Sequence, residues 1–446
     1  MKKFLVTMFI LLTFLQGLSA QDNDAGVIKT RGDYLTIKAA VIGPGDALYF
    51  WWGHFGLIIE DSLTGRSSFY DYGVFSFSKD NFYKNFAFGR LYYMSAVSQS
   101  DRNLSHYVNT NRDITLYTLA LSAAQKELIM REAEYYALPE NSEYLYNHFK
   151  DNCVTRIINS IDKAVGGEFY AYAKNTPGRM TLREHVRRHT YFNPFCDWLL
   201  NFLMGQDIDT PTTIYQEMFL PSEAGERLND FYYTDANGNK QKLVSNVEVV
   251  SRSTGRPPVL DKPRLQWPGE LIFALIVGSV LYFLGIKSRE TNGGEKKLKA
   301  SNEASTLLAT SKCTKVCYGF LSGFVSLFFA LAGTMAFFMT FFTDHDYTFH
   351  NMNVMFINPL LLIAVAPAFI FAFSKNTAKN IKRINIVKAV WTYVFFAAIL
   401  SILLKLLPMF YQENYVTLAM ILPISLSLSF IPEWLRQCLK RRKIFV

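Results

Sequence analysis

Cysteine is scarce in this chain, with five in 446 residues, and none follows the apolar N-terminal run, which excludes a lipoprotein-type signal there. No internal repeat and no low-complexity segment is present. Lysine and arginine are in excess overall, at a net charge of +9, yet both are missing from segments 343–353 and 408–414. They gather instead between 287 and 315, between 375 and 383, and in the tail after 436. Such alternation is a membrane-topology signal, because cytoplasmic loops collect Lys and Arg. It accounts for the basic balance with no nucleic acid as partner. Nothing in the sequence demands a metal or another cofactor.

What the chain does have is apolar and aromatic surface, 50% hydrophobic with 38 Phe and 25 Tyr. Lys2 and Lys3 precede the run from Phe4 to Leu15, and Leu18-Ser19-Ala20 supplies a small-residue site before Gln21. Residues 1–20 read as a cleaved signal peptide; the competing reading, an uncleaved anchor, has a short apolar core for a span. Five later segments, 271–286, 320–342, 354–373, 387–407 and 415–431, read as membrane-spanning helices, the last interrupted by Pro423. The charge alternation places residues 21–262 outside the cytoplasm. Residues 263–446 then form an all-α transmembrane bundle with a cytoplasmic C-terminus.

The exported portion is long enough to bury a core and reads as α+β. Residues 47–59 and 67–75 are aromatic and β-branched around the turn residues Asp61-Ser62-Leu63-Thr64-Gly65, which predicts a hairpin. Residues 114–121 predict another strand. Helices are predicted over 122–136, where Ser122 and Gln125 have capping-box spacing, and over 153–165, between Asp151-Asn152 and Gly166-Gly167. Residues 253–268, rich in Pro and Arg, read as the linker onto the membrane.

Two stretches carry candidate chemistry. Cys153 opens a helix, where unpaired N–H groups and the helix dipole favour a thiolate, and its own N–H is placed to help an oxyanion. His54 lies on a strand and can act as its base. If the hairpin turns around Thr64, Gly73 lies opposite His54 and Asp71 lies diagonally on the same face, where it can orient the imidazole. A slip of one residue would put Tyr70 or Tyr72 there instead. Each residue also has a plain structural reading. His54 can be a satisfied strand histidine, His148 a surface one, and Cys153 can pair with Cys196, the other exported cysteine. Only the combination points to a nucleophile.

The order of a strand His followed by Asn-Cys on a helix resembles the circularly permuted papain-like fold of the lecithin:retinol acyltransferase group. More specifically, residues 21–262 resemble the Lnb N-terminal periplasmic domain, and residues 270–435 its accompanying five-helix membrane domain. The resemblance rests on Gly53-His54-Phe55-Gly56-Leu57, on Tyr70-Asp71-Tyr72-Gly73-Val74-Phe75, and on residues 146–155 with Asn152-Cys153. Thr181-Leu182-Arg183, Met218-Phe219-Leu220-Pro221 and, in the membrane part, Thr343-Asp344-His345, Asn351, Asn353 and Asn358-Pro359-Leu360 add to it. It implies a multi-pass protein of a bacterial inner membrane that acts as a lipoprotein N-acyltransferase. The acyl donor would be a phospholipid, and the acceptor the α-amine of a diacylglyceryl lipoprotein at the lipid bilayer. Cys153 then matches the nucleophile and His54 the base.

His148 and Asn152, close to Cys153, and His345 and Asn351, in the polar loop 343–353, are candidate substrate-binding residues. That loop reads either as a solvated hairpin or as a rim for headgroups and the incoming amine. Asp344 and His345 lack a third ligand at helical spacing, so they make no metal site. Two other functions fit the same sequence: a periplasmic cysteine hydrolase (peptidase or phospholipase), and a non-enzymatic chaperone or partner-binding module with a structural Cys153–Cys196 bond.

Overall fold

Alternation of Ile, Val, Ala and aromatic residues builds an antiparallel sheet in the N-terminal portion of the computed structural model, which describes residues 29–78, 80–294 and 304–442. The expected signal peptide lies outside the described residues. Among the described residues nine strands follow in chain order: β1 Leu35–Ile42, β2 His54–Asp61, β3 Arg66–Val74, β4 Leu91–Gln99, β5 Ile114–Leu119, β6 Glu143–Tyr146, β7 Tyr232–Thr234, β8 Lys240–Lys242 and β9 Val244–Ser251. Seven of them form one sheet in the order β6-β4-β3-β2-β1-β5-β9, and β7 and β8 make a separate ribbon.

The β2–β3 hairpin has the register that a turn near Thr64 requires, from Asp61 opposite Arg66 to Gly56 opposite Asp71. Gly65 turns the corner at φ +69. The strand that was expected to start at 47 starts at His54 instead. Residues Leu48–Phe50 form a 3-10 turn, and Gly53 at φ +84 reverses the chain just before the strand.

Both faces of the sheet are covered. One carries Ile37, Phe55, Leu57, Tyr70 and Tyr72 under helices Ala123–Ala137, Cys153–Ala164 and Pro221–Asp230. The other carries Ala40, Ile42, Ile58, Phe69 and Leu116, with Tyr107 of helix Ser100–Asn109. The two predicted helices form nearly as expected. Ser122 caps the first in a capping box with Gln125, and Gly166 and Gly167 follow the second at positive φ.

Among the described residues, four helical segments are long and apolar enough to cross a membrane: Trp267–Ser288, Lys312–Phe342, Met352–Phe373 and Ala378–Leu404. The third begins as 3-10 turns before helix Leu362–Phe373. The expected fifth span is a shorter helix, Tyr415–Leu428; at ~1.5 Å per residue its 14 residues reach ~21 Å, against ~30 Å of hydrocarbon. Their shared core includes Phe329, Trp391, Val394 and Ile421. Trp198, Phe202 and Leu203 of helix Pro194–Leu203 also belong to it, so a segment well before the linker packs with the spans.

Candidate active site

Asn152 determines how Cys153 is presented. Its Oδ1 accepts the N–H groups of Val154 (2.9 Å) and Thr155 (3.0 Å), while its Nδ2 donates to the carbonyls of His148 (2.8 Å) and Phe219 (2.9 Å). Every hydrogen-bonding position of this buried amide is therefore taken by protein. Asn152 was expected to meet substrate, but it is a cap that fixes the helix start and ties it to the segment before Pro221. The cap leaves out the N–H of Cys153 itself. The thiol is free and 7% exposed, at the end of the helix that packs on the Phe55 face of the sheet.

His54 occupies the first position of β2, paired with Ile42. It alternates with Phe55, so it lies on the other sheet face with Asp71 and Gly73. The imidazole rests over Gly73, where a Cβ would come within 2.9 Å of its Cε1. Its Nε2 is 3.1 Å from Asp71 Oδ1, within ion-pair distance but off the line of a good hydrogen bond. Asp71 Oδ1 also accepts the Gly73 N–H at 2.7 Å. Burial works against a charged imidazole here, but the carboxylate of Asp71 outweighs it, with help from Tyr107 and Cys153, and holds the His54 pKa well above its ordinary value. In turn, although burial disfavours its charge, Asp71 is held below the usual range by His54, the Gly73 N–H and Arg112.

His54 and Cys153 thus meet at one end of the sheet from opposite faces. Each lies within the other's electrostatic reach, and no hydrogen bond joins thiol to ring. The expected pairing of His54 with Asp71 is present as geometry, at 3.1 Å. Two residues with no sequence signal complete the surroundings. Arg112 is buried, donates through Nε to the Gly43 carbonyl at 2.8 Å, stacks on Phe50 and Tyr107, and keeps Nη2 without a partner. Burial lowers its pKa to about 10, and the charges of Tyr107, Cys153 and Asp71 oppose that shift. Tyr93 stacks on Tyr146 with centroids 4.2 Å apart, and burial with the Cys153 charge pushes its phenol up to about 12.

The remaining candidates are held by other partners. His148 contacts the rings of Tyr146 and Tyr347, and burial with the charge of His345 lowers its pKa to about 4. His345 is buried against Thr343, its Nδ1 2.9 Å from Oγ1, and burial lowers its pKa too. Asn351 gives Nδ2 to the carbonyls of Phe202 (2.8 Å) and Leu203 (3.0 Å), and its Oδ1 receives the Asn353 N–H (3.0 Å) and Gln412 Nε2 (3.3 Å).

Loop 343–353 keeps Asp344 and His350 exposed, but most of its polar groups have partners in the protein. Its polar groups clamp the exported domain to the spans. Asp344 receives Arg90 at 2.8 Å, and Asp346 receives Asn147 at 3.0 Å and Lys150 at 2.6 Å. Gly89 and Gly205 admit the loop backbone so closely that a Cβ on either would collide with it. The disulfide reading also fails. Cys153 and Cys196 are both free, one in the sheet core and the other on the helix that packs with the spans.

Comparison with known families now bears on this arrangement. A family model described as the Lnb N-terminal periplasmic domain matches residues 29–188, which include His54, Asp71 and Cys153. A second, described as the Lnb transmembrane domain, matches residues 304–433. No curated protein and no solved structure matches the chain. Together the two family models match more than half of the chain, in the order that the fold presents them. The chain belongs to the Lnb family, as a multi-pass inner-membrane protein with a periplasmic N-terminal domain.

Proposed function

We propose that this protein is a lipoprotein N-acyltransferase that works through a thioester on Cys153. The observation that carries the reading is a helix-N-terminal thiol within electrostatic reach of an imidazole whose charge the half-buried carboxylate of Asp71 favours, on a domain clamped to membrane helices. A strand-borne His followed by a helix-borne Cys is also the order of a permuted papain-like domain. Residues 1–20 would be the signal, 21–262 the periplasmic catalytic domain and 263–446 the membrane domain. Tyr415–Leu428 would be the fifth span, leaving the C-terminus in the cytoplasm.

In the first step the Cys153 thiolate attacks an ester carbonyl of a phospholipid. The ester C–O bond breaks, His54 gives its proton to the leaving alkoxide, and lysophospholipid departs. Because Nε2 is turned to Asp71, Nδ1 is the nitrogen left for this transfer. The Cys153 N–H and Arg112 Nη2, both unclaimed, are the donors available to the tetrahedral oxyanion. In the second step the neutral α-amine of a diacylglyceryl-cysteine attacks the thioester. His54 takes the amine proton, the C–S bond breaks, and the amide is formed. Thiol and imidazole have to close up at the sheet end on substrate binding, as catalytic hydrogen bonds often do.

The test is expression of the protein and its Cys153→Ala variant in a strain without its own N-acylation step, with mass spectrometry of lipoprotein N-terminal peptides. One N-linked acyl chain with the parent protein and none with the variant is expected. A free amine in both, with the protein inserted, overturns the reading and leaves cysteine hydrolysis of phospholipids or cell-wall peptides as its successor.

A further inference from the structure

Between β3 and β4 the chain carries Phe75, Phe77, Phe82, Tyr83, Phe86 and Phe88. The short helix Phe82–Ala87 puts Phe82 and Phe86 on one face, with Tyr83 beside them, and Phe77 packs edge-on against Phe82 at 5.1 Å. That face is left open: Tyr83 is 71% exposed, and Phe77 and Phe86 are 50% exposed. A contiguous open patch of aromatic surface marks a place where another apolar body sits.

The position of the patch says which body. The Phe88 carbonyl accepts the Asp344 N–H at 2.8 Å, and the Phe88 ring meets Phe338 with centroids 5.5 Å apart. Phe338 lies about one turn, ~6 Å, inside the end of the span Lys312–Phe342. Through Phe338, which stacks on the exposed Phe342, the patch is continuous with the lipid-facing surface of that span.

From this boundary the rings lead toward the thiol. Phe86, Phe82, Phe75 and Tyr93 follow one another at centroid distances of 6.0, 6.1 and 4.9 Å, with neighbouring planes 18–26° apart. Tyr93 stacks in turn on Tyr146, and the Asn147–Asp151 bridge turns the chain back from there to the helix that Cys153 opens. After burial, the charge of Cys153 is the next largest influence on the Tyr93 phenol, so the thiol is within electrostatic reach of the strip's end. Phenylalanine side chains carry no hydrogen-bonding atom, so what this strip recognises is hydrocarbon and not a headgroup.

We propose that the strip from Phe86 to Tyr93 seats one acyl chain of a phospholipid, which leaves the outer leaflet at Phe88 and carries its ester carbonyl toward Cys153. The destination of that carbonyl rests on the thioester reading of Cys153; the seating of the chain is measured without it.

The test uses the full chain carrying Cys153→Ala, so that covalent acyl capture cannot contribute. It is reconstituted in phosphatidylethanolamine bilayers doped with phosphatidylethanolamine whose acyl chain bears a diazirine, either near the carbonyl or at the methyl end. Irradiation and peptide mass spectrometry then read the labelled residues. The carbonyl-end probe is expected on Phe75 or Tyr93, and the methyl-end probe on Phe82, Phe86 or Phe88. A lipid that merely surrounds the spans runs the other way, with its carbonyl near Phe88 and its methyl end among the membrane helices. Phe77→Ser combined with Phe86→Ser, both at exposed positions, should lower the carbonyl-end label on Phe75 and Tyr93 about tenfold.

Label confined to the spans, or carbonyl-end label that the double variant leaves unchanged, overturns the proposal. So does label on the strip from a diacylglyceryl-cysteine peptide with the same probe where the phospholipid gives none, because the strip would then serve the acceptor. The label is read without turnover, so failure of the acyltransferase reading leaves it standing, and its own failure leaves that reading standing.

Discussion

Gly73→Ala isolates the placement of His54 from everything else in the site. Gly73 is not in the left-handed region, so alanine costs the backbone nothing, and a strand position tolerates it with a stability change below ~1 kcal/mol. Its new Cβ, however, would stand 2.9 Å from His54 Cε1 and 3.4 Å from both Nδ1 and Asp71 Oδ1. Carbon pairs settle at about 3.5–4.0 Å, so the ring must retreat by roughly half an ångström or more from the carboxylate and the sheet end. A misplacement of about 1 Å at a reacting centre can cost ~100-fold, which puts the expected loss of N-acyl transfer between ~10-fold and ~100-fold.

Gly65→Ala is the matched control. Gly65 has φ +69 and open space around it, so alanine there strains the turn by ~1–2 kcal/mol and touches nothing in the site. Transfer rates by mass spectrometry and melting temperatures should separate the two variants cleanly: Gly73→Ala slow and stable, Gly65→Ala active and less stable. Full transfer by a folded Gly73→Ala protein would refute the role given to His54.

Three further outcomes follow from the same contacts. Because the folded His54 keeps its proton above its unfolded pKa of about 6.5, its ion pair stabilises the protein fully below that pH and progressively less as pH rises through the folded value. Asp71→Asn should flatten that part of a melting-temperature profile taken between neutral and alkaline pH, and parallel profiles would contradict the pairing. Asn152→Ala strands two N–H groups and two carbonyls of the cap and should cost ~2–4 kcal/mol in denaturant unfolding, with Asn351→Leu costing ~2–3 kcal/mol by unpinning the membrane loop. Both Cys153 and Cys196 should alkylate after denaturation without reductant, and protection of the pair would reinstate the disulfide.

Local chemistry was legible where it depended on neighbours in sequence. The β2–β3 register follows from turn residues and alternation, and it places Gly73 beside His54. The helix from Cys153 followed from its cap and its two glycines. The four long spans followed from length and hydropathy. What stayed hidden was long-range. Arg112 reaches the site from a turn that no motif marks, and β1, paired with β2 and β5 inside the sheet, reads as an ordinary apolar stretch. The strand start at His54 is hidden because residues 47–53 are as aromatic as a strand, and the left-handed Gly53 ends that pattern.

The partners of the polar loop are hidden for a related reason. A run of Asp, His and Asn between two spans has the same composition whether it meets water, lipid or protein, and the deciding fact is what lies above it. Here Arg90, Asn147, Lys150 and the carbonyls of Phe202 and Leu203 lie above it, all supplied by the exported domain. That clamp gives the architecture its functional logic. A thiol that acts on membrane lipids gains nothing from a tether that lets its domain drift, whereas loop 343–353 and the seam of Tyr146, His148 and Tyr347 hold the sheet end at a set height over the spans. The same rigidity would confine the proposed closure of Cys153 onto His54 to the sheet end, where the β3–β4 pairing is already irregular between Asp71 and Val74. A bulge beside a candidate catalytic carboxylate is a place where a strand can shift without unzipping the sheet.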